Sequence, residues 1–562
     1  MRGLTIVFFL ATVIGCAGSE APPEGANAGS GLFKDVTEGA GIDFIHDHGG
    51  IGEKWVPETM SAGACVLDFD NDGLLDIYLV QSGRLFDEQA PGLVNRLYRN
   101  LGDWHFEDVT SSSGTGDGAY GFGAIAADYD GDGDTDLYLT NYGPNTLLRN
   151  EGDGTFSKVT ESAGVGNPLW STSAAFFDAD GDGDLDLYVV NYVDFSLDNH
   201  RVCGDFEREI FSYCHPDCYP TQSDTFYRNL GDGTFEDATL DAGLEEDTGK
   251  GLGVVVADFD NDSDPDIYVA NDSTPNFLWV NDGTGHFTEQ GLVSGAAFND
   301  AGRTQAGMGV DAGDINNDGW LDVIVTHLSM EDNALYLGGP NGFSYGTGSA
   351  GLYTASLPVL GFGANFFDAD LDGDLDLFVA NGDVVDTIDL LRPGATHAQP
   401  DQLFLNDGSG RFALLDPEAA GGFSQPRVSR ASITADLDND GRMDLLVTTN
   451  NGPARLFRNR GQSNHWIGLE LRGPQNNPKA IGARISLVVG DRTIFQEVRT
   501  GSGYLASSDS RIVFGLGPEA PSNQSITIRW PSGRTTRLHD LEINRYHLID
   551  APPEQVLFPP QE

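Results

Sequence analysis

Short apolar runs separated by polar, glycine-rich turns recur along most of this chain, with the composition of strands rather than helices. Seven runs are nearly copies of one another: DIYLV, DLYLT, DLYVV, DIYVA, DVIVT, DLFVA and DLLVT, all dominated by β-branched, aliphatic and aromatic residues. Ahead of them stand runs such as GFGAIAADYD, GLGVVVADFD and LGFGANFFDAD, whose small residues suit crowded packing. Behind them come a third strand and a tight turn into a fourth, as in NTLLRNEGDGTFSKVT, DTFYRNLGDGTFEDAT and DQLFLNDGSGRFALL. Four strands per unit, at intervals of roughly 50 to 80 residues, predict propeller blades, and seven units predict a seven-bladed ring. The seventh unit lacks its own fourth strand. FKDVTEGAGI at Phe33–Ile42 copies FSKVTESAGV at Phe156–Val165 before any unit has begun, so Phe33 to Thr37 is expected to pair near Arg455 to Asn459 and close the ring.

Between the first and second strand of every unit lies a loop of the form D-x-D-x-D-G-x-x-D. Carboxylates at positions 1, 3, 5 and 9, with a backbone carbonyl at 7, form the oxygen-rich cage that Ca²⁺ prefers, and position 6 must turn sharply. The side-chain ligands expected are Asp68, Asp70, Asp72 and Asp76; Asp128, Asp130, Asp132 and Asp136; Asp178, Asp180, Asp182 and Asp186; and Asp258, Asp260, Asp262 and Asp266. The last three loops supply Asp314, Asn316, Asp318 and Asp322; Asp368, Asp370, Asp372 and Asp376; and Asp436, Asp438, Asp440 and Asp444. Only the fourth loop departs from glycine at position 6, with Ser263, and only the fifth replaces a carboxylate, with Asn316. The alternative, solvated turn aspartates, leaves many carboxylates crowded together without a cation. Up to seven Ca²⁺ are expected, pinning hairpins rather than bridging a ligand.

These repeats resemble the FG-GAP/VCBS propellers, whose blades carry the calcium loop also used by integrin α-subunit propellers; the resemblance covers about Leu32 to Asn459. Beyond it, GARI, VRTGSGYLASSD, FGLG and IRWPSGR within Ile481 to Leu538 resemble the ASPIC/UnbV domain that follows such propellers in cartilage-acidic-protein-like proteins. Alternating runs such as SITIRW and ARISLVV independently indicate a small β-domain. The expected fold class is all-β: a propeller over 32–463, a β-domain over 464–553 and a tail over 554–562.

Charge divides these parts. The formal charge is −55 over 562 residues, yet acidic and basic residues balance from Asn464 onward, so the excess belongs to the ring. Seven calcium ions would leave it strongly acidic, which makes nucleic acid and anionic lipid poor partners.

The first residues indicate where the protein works. Arg2, an apolar run from Leu4 to Ile14 and then VIGC resemble a bacterial lipoprotein signal over 1–15, with Cys16 the lipidated residue and 16–31 a flexible tether; an ordinary secretory signal is the alternative. Export to the envelope, with an outer-membrane destination and membrane contact only through the lipid, is the expectation. In an exported chain a disulfide is favoured, Cys203 to Cys214 ahead of Cys214 to Cys218. A zinc site from Cys203, Cys214, Cys218 and His215 is the alternative, though its spacing matches no standard pattern.

No GxSxG elbow, HExxH or phosphate-cradling loop occurs. His46, His48 and Glu58 form the most distinctive polar cluster, expected to tie the first blade's inner strand and loop together; His327 and His397 are read as structural or surface residues, and Trp55, Trp170 and Trp320 as packing. The function expected is a non-catalytic binding or adhesion module for a protein or glycan at the cell surface. Two alternatives stand: an enzyme acting on an extracellular polymer in the central funnel, with Glu58 or His46 as acid/base, and a structural scaffold.

Overall fold

In the computed structural model, residues 31–86, 93–244, 248–519, 521 and 523–553 are described; the expected signal, Cys16, nearly all of the tether and the tail lie outside them. Each unit folds as an antiparallel four-stranded meander. In the second these are Gly121–Ala127, Asp136–Asn141, Thr146–Asn150 and Phe156–Lys158. Seven such sheets form among the described residues. Their first strands, Ala64–Leu67, Gly121–Ala127, Ser171–Phe177, Gly251–Ala257, Val310–Gly313, Gly361–Phe367 and Ser429–Ala435, each touch the next, and the last touches the first, so the ring is closed around an axis. Apolar side chains fill the wedges between neighbouring sheets, as where Ala64, Val66 and Ile77 meet Ala431, Ile433 and Leu446.

The closing strand comes from the other end of the chain. Phe33–Asp35 pairs antiparallel with Arg455–Asn459, Phe33 opposite Asn459 and Asp35 opposite Phe457. Val36 N–H donates to the Leu456 carbonyl at 2.9 Å, and Leu456 N–H to Thr37 Oγ1 at 2.9 Å. Phe33 is buried against Phe367 and Phe423. A second device repeats around the ring. The asparagine ending the third strand donates its side-chain amide both within its own sheet and to the preceding one: Asn150 to Phe69 O, Asn229 to Tyr129 O, Asn281 to Ala179 O, Asn406 to Ile315 O, Asn459 to Ala369 O and Asn100 to Leu437 O, all 2.8–3.0 Å. The fifth sheet has Gly338 at this place and makes no such link from it.

The C-terminal strands form a three-stranded sheet, in which His465–Arg472 lies between Ile512–Gly517 and Tyr546–Asp550, and a four-stranded sheet centred on Arg484–Val489 and Gln524–Arg529. Ile467, Leu469, Ile485, Leu487, Phe514, Ile526, Ile528 and Trp530 make its core, which is continuous with the apolar wedge between the second and third sheets of the ring.

From this domain a hairpin enters the axis. Gly501–Ser502 pairs with Ala506–Ser507, and the latter runs parallel to Ala64–Cys65 of the first sheet. Thr500 exchanges hydrogen bonds with Phe176, Gly503 exchanges two with Val310, and Leu505 N–H donates to Ser173 Oγ. The hairpin therefore satisfies its own backbone on the inner strands of several sheets at once, which a buried loop must do.

Candidate functional site

The acidic loops sit on the face that the C-terminal domain covers. In the first three, carboxylate oxygens from positions 1, 3 and 9 lie within 4.8 Å of one another (Asp68, Asp70, Asp76; Asp128, Asp130, Asp136; Asp178, Asp180, Asp186), and in the fourth those of Asp258, Asp260 and Asp262 do. The loop backbone forces this convergence. Position 1 accepts the position-6 N–H, as Asp68 does from Gly73 at 2.9 Å and Asp128 from Gly133 at 2.8 Å, and position 5 accepts the position-7 N–H, as Asp72 does from Leu74 at 3.0 Å. Position 6 adopts positive φ throughout, +86° at Gly73 and +99° at Gly133, and Ser263 is held at +94°.

Position 9 has a second duty that its spacing did not reveal. One oxygen of Asp136 accepts Tyr129 N–H at 3.1 Å and the other Asn150 N–H at 2.8 Å, so this buried carboxylate joins the loop to the third strand; the other six loops repeat the pattern. Position 3 does the opposite. Asp70, Asp130, Asp370 and Asp438 each bury Oδ1 with no hydrogen-bond partner. Burial and neighbouring carboxylates push Asp128 and Asp178 up to about 6, and burial pushes Asp186 to about 8. Buried, unpartnered oxygens facing like charges are the donor set of a hard cation: these clusters could hold a metal ion.

Arginines compensate part of the charge. Arg99 contacts Asp70 at 2.6 Å and Asp72 at 3.1 Å, and Arg458 contacts Asp438 at 2.6 Å. The C-terminal domain, neutral in sum, points its arginines at the loops. Arg529 reaches Asp258 at 2.8 Å and also Ser263; Arg484 reaches Asn261 at 2.5 Å and Gly319 O at 3.1 Å; Arg511 reaches Asn439 at 2.6 Å and Asp436 O at 2.8 Å. Arg492 contacts Gly373 O and Asp374. A charge count over the whole domain hides this one-sidedness.

The axis is filled by the hairpin, with Tyr504 buried within it. The polar cluster lies at the opposite end. His46 bonds Ser82 Oγ at 3.1 Å and accepts Asn451 N–H at 3.1 Å, tying the first sheet to the last rather than working within the first alone. Burial holds its pKa down at about 3. Glu58, on the short helix Val56–Thr59, accepts the Tyr213 hydroxyl at 3.0 Å. Beside them lies Arg430, wholly buried, whose guanidinium donates to Thr59, Gly382 and Ser429 carbonyls and stacks on Phe362. His327 is buried against Asp332 O, and Trp55 and Trp170 are packing residues. Cys203 and Cys214 are joined by a disulfide, with the free thiol Cys218 within 4.8 Å of both.

Two family profiles match the chain: FG-GAP-like repeat over 68–139, 128–189, 204–269, 258–325, 314–379 and 368–447, and ASPIC and UnbV over 473–556. Among curated proteins, cartilage acidic protein 1 of Mus musculus is 27% identical over 309 residues, 53% of this chain and 44% of the relative. The Homo sapiens protein is 26% identical over 308 residues, 53% of this chain and 43% of the relative. The matched region thus spans under half the length of these relatives. A solved Agrocybe aegerita lectin, described as recognising non-reducing terminal N-acetylglucosamine, aligns with TM-score 0.37 and 16% identity over 64% of this chain and 82% of its own. A Bacillus licheniformis rhamnogalacturonan lyase aligns with TM-score 0.32 and 13% identity over 88% of this chain and 91% of its own.

Proposed function

Because the chain belongs to the FG-GAP-like repeat family and ends in an ASPIC and UnbV domain, we propose that it is an exported, calcium-stabilised binding module, lipid-anchored through Cys16, that engages a protein at the cell envelope without catalysing a reaction. The observation that carries this reading is an apolar patch on the insertions away from the C-terminal domain. Leu197, Val202, Phe206, Phe211 and Leu390 are 49–63% exposed. The insertions that present them are ordered against each other: Cys203–Asp205 pairs with Ile210–Ser212, Arg208 donates to Leu390 O at 2.7 Å, and Thr387 donates to Phe211 O at 3.3 Å. Exposed apolar side chains on insertions that hydrogen-bond to one another mark a binding surface on a strongly acidic protein. Calcium in the loops would rigidify the scaffold that carries it, with Asp70, Asp130, Asp370 and Asp438 completing their coordination at the ion.

The test is a screen of the calcium-loaded protein against envelope-protein and glycan arrays, in parallel with a Phe206→Asp/Phe211→Asp variant. Capture of a protein ligand that the variant loses is the expected result; capture of glycans alone, or equal capture by both proteins, would overturn it. Mass spectrometry of the native amino terminus tests the anchor, which an unmodified Cys16 would exclude.

A further inference from the structure

Opposite the C-terminal domain, the axis ends in two cavities that share Thr59, Tyr213 and Val384 as a common wall. One, of about 360 Å³, is lined by His48, Glu58, Asp386, His397, Asn450 and Asn451 among others. The other, of about 260 Å³, is lined mainly by apolar side chains, including Val56, Met60, Leu328, Leu360 and Val385. Together they have the size and the division of character of a small-molecule site: an apolar chamber and a few placed polar groups.

The polar chamber is electrically quiet inside a protein of formal charge −55. Asp386 is paired with Lys54 at 2.5 Å. Burial lowers the pKa of His48 and takes His397 down to about 4, so both imidazoles are neutral near pH 7. Burial raises that of Glu58. Arg430 is spent on backbone carbonyls and faces Asp383. The charged groups of the apolar chamber are likewise engaged: Asp272 accepts the Tyr192 hydroxyl at 2.6 Å, and Asp383 faces Arg392 at 3.7 Å.

Two groups of this lining are left incomplete, Asn450, whose Oδ1 is buried with no partner among the described residues, and Glu58. Glu58 is 2% exposed; Oε2 accepts the Tyr213 hydroxyl, whereas Oε1 is buried with no partner among the described residues. A buried carboxyl oxygen left without a partner costs free energy that a bound ligand can recover. A ligand hydroxyl, donor and acceptor at once, supplies that partner, and a carboxylate ligand would add like charge beside Glu58 and Asp386.

We propose that these joined cavities are a binding site for a neutral amphipathic small molecule, whose hydroxyl pairs with Glu58 Oε1 and whose apolar body fills the chamber bounded by Leu328, Leu360 and Val385. The site is distinct from the exposed patch on the insertions and stands without it.

The test is calorimetric titration of the calcium-loaded full chain with 2-naphthol, 2-naphthoate and 2-naphthylmethylammonium. 2-Naphthol is expected to bind at least about tenfold more tightly than either charged probe. Val385→Trp, which fills the chamber, should abolish the binding; Glu58→Gln, which keeps a side-chain oxygen at the same place, should retain it; Glu58→Ala should weaken it about tenfold. An unchanged melting curve for Val385→Trp shows that loss of binding is not loss of fold. Absence of 2-naphthol binding, equal binding of a charged probe, or indifference to Val385→Trp would overturn the proposal.

Discussion

The Tyr504 hydroxyl donates to the Met60 carbonyl at 2.7 Å, joining the hairpin that enters the ring from one face to the short helical segment that closes it from the other. Tyr504 is fully buried, with its ring edge-on to Phe362 at 4.8 Å. The axis of this propeller is therefore a packed core to which three separate parts of the chain contribute.

Truncating that core should be felt by both domains. Tyr504→Ala is expected to lower stability by about 3–5 kcal/mol, the range for large aromatic truncations. Tyr504→Phe should cost about 1–3 kcal/mol, since the Met60 carbonyl loses a donor. Urea unfolding followed by tryptophan fluorescence checks both; a Tyr504→Ala protein as stable as wild type would show that the hairpin rests in the axis without supporting it.

Ring closure makes a second prediction. Phe33 is 2% exposed, and Gly421 packs so closely on it that an added Cβ would lie 1.8 Å from the Phe33 carbonyl. Phe33→Ala should cost about 3–5 kcal/mol, and Gly421→Ala should push the closing strand away. Limited proteolysis should then cut within 31–38 before any other segment, and a wild-type digestion pattern would count against the closure.

Much of this was legible because the repeat is written in local chemistry. The D-x-D-x-D-G loop, the strand after it and the orphan FKDVT segment each carry a signature within ten residues, so seven sheets and their closure could be read from pattern. Contacts between distant segments carry no such mark. VRTGSGYLASSD is legible as strand and turn, but nothing in it says that it pairs with Ala64–Cys65 more than 400 residues earlier. The terminal asparagine of six of the third strands recurs visibly, yet its role is a bond to the preceding sheet. His397 gave no signal at all, because what places it beside His48 and Glu58 is the folding of an insertion.

Acid should destabilise the ring through its buried histidines. His46 and His327 are neutral in the fold, with pKa values held at about 3 by burial, against about 6.5 when exposed. His46 faces Ser82, Asn451, His48 and Arg430, none of which would welcome a proton. The unfolded chain takes up protons that the folded one refuses, so this contribution is complete above about pH 6.5 and is lost progressively as pH falls toward 3. In the calcium-loaded protein, where bound ions would hold the loop carboxylates ionised, the urea midpoint should fall between about pH 7 and pH 4, and His46→Gln should flatten part of that decline. A variant with the wild-type slope would assign the acid sensitivity to other groups.

If the seven acidic loops take up calcium, the fourth should bind it most weakly. Arg529 lies 2.8 Å from Asp258 and also meets Ser263, while Arg484 lies 3.8 Å from the same Asp258 oxygen. Two guanidinium groups thus supply positive charge where a bound cation would supply its own, and Coulomb repulsion between them and Ca²⁺ acts at short range. Ser263 adds strain, because +94° is a backbone region that the other six loops give to glycine. Native mass spectrometry during calcium titration is expected to show one ion binding last and most weakly. Arg529→Gln should tighten that final step, and Ser263→Gly should stabilise the protein by about 1 kcal/mol with or without calcium. If Arg529→Gln leaves every binding step unchanged, the arginine is a docking contact for the C-terminal domain and has no bearing on the ion.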